Sequence, residues 1–182
     1  ESPLSSHEVA QGYMELKEPS IYIKFRVKSD RFKNTDFLVW TTTPWTLPSN
    51  VALCVNPREE YVLIETSKNE KLILAKKLCT SKLFPSKEGE PYKINETFTG
   101  LELENVEYEP LFNFFKLEKK AYYVTTGDFV TMEDGTGIVH IAPAFGEDDY
   151  NIGLKYDLPL LQAVKRSGLF KHEAGFIADT SF

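Results

Sequence analysis

With 182 residues, 42% of them hydrophobic and 26% charged, the chain can form one domain that buries about two-thirds of its unfolded surface. No apolar run approaches the roughly 18 residues of a membrane-spanning helix, so a spanning segment and a disordered chain are both excluded. A net charge of −6 and a pI near 5.2 exclude a domain that grips nucleic acid by non-specific phosphate attraction, a mode that needs a basic surface.

Residues 1–18 are polar and read as a loosely held lead-in. They lack both an initiating Met and the regions of a signal peptide, which suggests a piece excised from a longer protein. From Ser20 the pattern changes. Ile21, Ile23, Phe25 and Val27 alternate with Tyr22, Lys24, Arg26 and Lys28, the periodicity of a strand with one buried face. Its other face carries three basic side chains, either a solvated face or a contact for an RNA backbone. Residues 36–40 (DFLVW) and 51–55 (VALCV) are further apolar runs, and 61–66 with 71–75 predict a hairpin through 67–70.

Beyond these, residues 76–84 predict a short helix, 86–91 a loop and 92–99 a more exposed strand. Residues 101–118 carry no clean period. Residues 121–126 and 128–132 are β-rich. Residues 138–142 (IVHIA) form a short buried run between Gly137 and Pro143, and 147–156 open on Glu147, Asp148 and Asp149, the acid-rich start of a helix. Residues 158–164 suggest a last short strand and 165–182 a turn and tail. The expected fold is mainly β with appended helices, a single domain over 1–182 built on a β-barrel or highly twisted sheet. Cys54 and Cys79 lack the spacing of a disulfide framework and read as reduced, buried thiols of a cytoplasmic protein.

Two polar clusters interrupt this pattern. In the first, residues 40–50 (WTTTPWTLPSN), strand alternation puts Thr41 and Thr43 on one side and Thr42 on the other. The hydroxyls could simply cap a turn. However, Trp40 and Trp45, the only tryptophans, flank them as large aromatics wall a site for a flat, partly apolar ligand. In the second, residues 135–150 (GTGIVHIAPAFGEDDY), His140 is either a core histidine satisfied by a backbone group or a pocket residue. Asp148 and Asp149 either favour a helix start or bind a ligand ammonium, whose charge would offset carboxylate desolvation. Neither a metal motif nor a GxSxG elbow is present, and His7 and His172 lie in the loosest segments.

Taken together, WTTTPWTLPSN and GTGIVHIAPAFGEDDY resemble the editing domain of isoleucyl-tRNA synthetases, a large insertion in a class I catalytic domain. The resemblance spans the chain. Valyl and leucyl relatives typically carry arginine where Thr43 stands and lack the tryptophan at Trp45. The resemblance implies that Asp149 holds the α-ammonium of a misattached amino acid and that His140 lines the side-chain pocket and helps exclude isoleucine. It implies that Thr41, Thr42, Thr43 and Thr46 position ester, ribose and water, with Trp40 and Trp45 as walls and Asn50 taking part in editing. Leu47, Ala142 and Asp148 are expected beside them in the substrate-binding set.

The implied reaction is hydrolysis of valine from tRNA(Ile), and of valyl-adenylate as an open alternative. One methylene is worth only about 1–3 kcal/mol in an apolar pocket, a rule whose standard example is this enzyme class, so a second sieve is needed. No cofactor or metal is implied. The implied partners are the valine-bearing acceptor end of tRNA and the rest of the synthetase in cis, with the isolated domain monomeric. The rival reading is a barrel that binds single-stranded nucleic acid or nucleotide without chemistry. Aromatics and the basic strand face fit it; the net charge and the Asp pair do not.

Overall fold

A computed structural model describes residues 20–80, 83–84 and 91–181. The lead-in at 1–18 and nearly all of the loop at 86–91 lie outside the described residues. Nine strands are present among the described residues: β1 (Ile21–Lys28), β2 (Thr35–Thr41), β3 (Ala52–Val55), β4 (Glu60–Thr66), β5 (Lys71–Ala75), β6 (Tyr92–Thr99), β7 (Glu107–Tyr108), β8 (Tyr123–Thr126) and β9 (Ile138–Ile141). Among the described residues one α-helix, α1, spans Glu147–Lys155. Among the described residues no helix is long and apolar enough to cross a membrane.

The strands form one mixed sheet in the order β6-β4-β5-β2-β1-β7-β8-β3-β9. β1 joins its two halves, pairing with β2 over most of its length and with β7 through Val27 and Lys28. The mainly β class with appended helices therefore holds. The sheet is open rather than a closed barrel, with β6 and β9 at its edges. It curls strongly enough that the Ala75 N–H at the end of β5 donates to the Thr136 carbonyl just before β9, at 2.8 Å.

Alternation in β1 has the expected effect only in its second half. Phe25 and Val27 are buried while Ile21 emerges into solvent. The basic face is largely neutralised, because Lys24 pairs with Glu70 at 2.5 Å and Arg26 with Asp36 at 3.0 Å. A phosphate contact on this face loses its support. β3 and β8 lie side by side in parallel with every residue buried, and the buried Thr125 hydroxyl of β8 donates to the Leu53 carbonyl of β3 at 2.9 Å. The main core gathers Phe25, Phe37, Val39, Leu53, Ile73 and Val124 beneath the sheet. Cys54 and Cys79 are buried and free.

Several sequence expectations change. Among the described residues of 76–84 the helical part is a 3-10 turn at Lys76–Leu78, because Lys76 and Lys77 reach to Glu60 and Glu59 and the Cys79 carbonyl accepts from the Tyr92 hydroxyl at 2.8 Å. Residues 81–82 lie outside the described residues. Residues 128–132 are not a strand. The Asn56 side chain donates to the Val130 carbonyl at 3.0 Å, and buried Val130 packs in the smaller core beside Val51 and Ile152. Residues 158–164 make a β-bridge at Val164 alone, since the Ala163 N–H donates to the Ser49 hydroxyl at 2.9 Å instead of to a strand. The described part of the tail, 165–181, is folded: Phe170 and Ala174 are buried, and a 3-10 stretch covers His172–Ile177.

Candidate active site

Strand β2 ends at Thr41 because the chain turns there through hydroxyl contacts. The Thr43 N–H donates to Thr41 Oγ1 at 3.1 Å, and Pro44, which has no N–H to leave unpaired, starts the 3-10 helix Pro44–Ser49. That helix brings Thr46 back beneath Thr43. Thr46 Oγ1 donates to the Thr43 carbonyl at 2.8 Å and lies 3.4 Å from Thr43 Oγ1, which is 3.3 Å from Thr41 Oγ1. Thr41, Thr43 and Thr46 thus form a connected hydroxyl row, while Thr42 faces solvent at the rim.

Facing this row is β9. His140 Nε2 is 3.1 Å from Thr46 Oγ1. The Thr46 hydroxyl proton is already committed to the Thr43 carbonyl, so the histidine must be the donor and its proton sits on Nε2. Nδ1 is then a bare acceptor, buried and without a hydrogen-bond partner among the described residues. Burial pushes the imidazole pKa down to about 4, so His140 is neutral near pH 7.

The third wall comes from the start of α1. Gly146 occupies its N-cap position and offers no side-chain cap, so Asp149 turns back and its Oδ1 accepts from the Ala142 N–H at 2.7 Å. A Cβ on Gly146 would lie 2.6 Å from Asp149 Oδ2, so this carboxylate position requires glycine there. Burial raises the Asp149 pKa against the opposing effect of the Ala142 amide and its own amide, and nearby Asp148 adds to the rise. Desolvation outweighs the favourable helix end, which leaves a carboxylate that a cation would stabilise. Trp40 closes the remaining side. Gly135, at φ 76°, packs so tightly under it that a Cβ would come within 2.8 Å of the indole.

These groups line one cavity of about 340 Å³: Trp40, Thr41, Thr42, Thr43, Trp45, Thr46, His140, Ala142 and Asp149, joined by Val139 and Phe145. Three expected members lie elsewhere. Leu47 is in the main core. Asn50 is buried, donating to the Ala52 carbonyl and accepting from the Tyr108 hydroxyl, both at 2.8 Å. Asp148 points to solvent on the first turn of α1. Sequence reasoning missed Val139 and Phe145; an aromatic just after Pro143 was the available signal for the second. A larger hollow of about 710 Å³ opens on the far side of Trp40, between Tyr22, Leu38, Leu72 and Phe84. The smaller cavity is the candidate site because the shifted His140 and Asp149 and the hydroxyl row converge there.

Comparison with known proteins places the chain by sequence and by fold. No protein-family model matches the chain. Isoleucine–tRNA ligase of Clostridium acetobutylicum is 54% identical over 170 residues, 93% of this chain. Those of Picrophilus torridus and Streptomyces avermitilis are 47% identical over 170 residues and 40% identical over 184. The chain belongs to the isoleucine–tRNA ligase family. It spans only about 16% of the length of the relatives it matches. Among solved structures, the editing domain of the cytosolic leucyl-tRNA synthetase of P. knowlesi superposes with a TM-score of 0.59 at 19% identity, covering 81% of this chain and 67% of that one. GlLeuRS-CP1 superposes with a TM-score of 0.60 at 18% identity, covering 78% and 66%. The fold is therefore that of the leucyl-tRNA synthetase editing domains.

Proposed function

We propose that this cavity hydrolyses the ester of valine misattached to tRNA(Ile), as the second sieve of an isoleucine–tRNA ligase. The observation that carries the reading is the meeting of a buried carboxylate, a connected hydroxyl row and a neutral, ring-fixed histidine in one small cavity.

Each part answers one demand of the reaction. Asp149 takes the free α-ammonium, present on an aminoacyl ester and absent from an N-acylated ester or an uncharged RNA; the cation offsets the desolvation that raises this carboxylate. The Thr41–Thr43–Thr46 row holds the ester, the terminal ribose and a water. An aminoacyl ester is already activated, so a held water beside a ribose hydroxyl supplies the nucleophile largely by proximity. His140 is a wall and not a general acid, because its neutral ring has only the Nε2 proton and that proton is held in the hydrogen bond to Thr46. A fixed ring is suited to rejecting a side chain one methylene longer, which a flexible residue would accommodate.

A non-hydrolysable valyl-adenosine ester mimic is expected to raise the melting temperature, and the same mimic lacking its amine to do so far less. Equal stabilisation by the two would remove the ammonium anchor and with it this reading. Stabilisation by an amino-acid-free oligonucleotide alone would favour a non-catalytic nucleic-acid binder. The acceptor end is delivered by the remainder of the synthetase, so turnover by the isolated chain is expected to be slow.

A further inference from the structure

Away from the cleft, Phe176 is 79% exposed, the most exposed large apolar side chain among the described residues. It does not stand alone. Its ring lies 6.2 Å from that of Phe112 and, edge-on, 5.7 Å from that of Phe114, and Phe112 and Phe114 stack on one another at 5.0 Å and 17°. Behind them, Phe114 and Phe115 share with Trp45 the small core of Ala163, Val164, Phe170 and Ala174. Trp45 also lines the cleft. The aromatic face and the site are therefore two sides of one packed unit.

Charge separates this unit from the rest of the domain. The segments 110–120 and 154–181 carry seven Lys or Arg against four Asp or Glu, a net of +3 in a chain whose total is −6. Among the described residues Lys116, Arg166 and Lys171 form no ion pair, whereas Lys24 and Arg26 of β1 are paired. One exposed ring backed by two part-buried ones, on segments that also carry unpaired cations, matches a single-stranded nucleic acid, whose bases stack and whose phosphates need positive charge.

We propose that the Phe112–Phe114–Phe176 face stacks the unpaired bases that precede the terminal nucleotide of the RNA, continuing the strand whose esterified end lies in the cleft. This rests on the deacylase reading above. Stacking is read by rings and not by apolar area, so the choice of substitution separates an RNA platform from a protein-docking patch.

The test compares Phe176→Tyr and Phe176→Leu in two measurements. The first is the affinity for a fluorescent, uncharged ACCA tetranucleotide. The second is hydrolysis of valyl-adenosine against the same valine ester on that tetranucleotide. Phe176→Tyr is expected to behave as the unmodified chain. Phe176→Leu should weaken tetranucleotide binding, and raise its KM, about tenfold while leaving valyl-adenosine untouched. Full affinity in the leucine variant overturns the proposal, as does an equal rise of KM on both esters. Unchanged affinity together with a lower melting temperature of the full-length synthetase carrying Phe176→Ser would assign the face to the synthetase body instead. Failure of the unmodified chain to cleave either ester would reject the deacylase reading, while the binding measurement still decides the face.

Discussion

Asp149 and His140 are both buried at the site, yet burial acts on them in opposite directions, which makes their roles separable. Asp149→Asn retains an acceptor for the Ala142 N–H and removes only the charge. A hydrogen bond to a charged group is worth about 1.5–3 kcal/mol, so KM for a valyl ester should rise at least about tenfold with little loss of stability. An unchanged KM would contradict the ammonium assignment. His140 has its pKa lowered from 6.5 to about 4, so between these values the unfolded chain binds the extra proton and stability falls as pH is lowered. The loss should reach at most about 3 kcal/mol by pH 4. Urea titrations from pH 7 to pH 4 should show it in the unmodified chain and a shallower fall in His140→Gln. Parallel curves would mean that His140 is not held neutral by its surroundings.

The element that organises the site is the turn at residues 43–50, and its support comes from a strand remote in sequence. Asn50 closes the 3-10 helix by donating its N–H to the Leu47 carbonyl, and its side chain is fixed by Ala52 on one side and Tyr108 of β7 on the other. Val51 follows at once and donates to the Ile141 carbonyl next to His140, at 2.9 Å. Tyr108→Phe leaves the Asn50 carbonyl oxygen buried and unpaired, a cost of about 1–3 kcal/mol in unfolding free energy. Deacylation should slow at temperatures where the variant is fully folded, and adding Asn50→Ala should cost less than the sum of the two single changes. Additive effects would show that the two side chains do not act as one strut. The sequence marks Asn50 as a site residue, and the structure gives it a supporting place instead. Its partner could not be read from sequence, because a two-residue strand such as β7 leaves no periodicity to detect.

Across the whole molecule, what could be read were the features that follow local rules. Alternation marked β1, the β4–β5 hairpin lay where its turn residues put it, and the acidic run announced α1. What could not be read were segments whose backbone partners are side chains from elsewhere. Ser49 takes the amide of Ala163 and Asn56 ties down Val130, so two β-rich stretches never become strands. The cleft was more legible than the sheet around it, since two contiguous clusters supply all eleven of its lining residues, nine of them singled out from the sequence, and the strand order merely brings β2 and β9 face to face. Whether this meeting makes a selective sieve is read directly from deacylation of Val-tRNA(Ile) against Ile-tRNA(Ile) by the unmodified chain. Hydrolysis of the valyl ester well above the isoleucyl ester is the predicted result; equal rates for the two would contradict it.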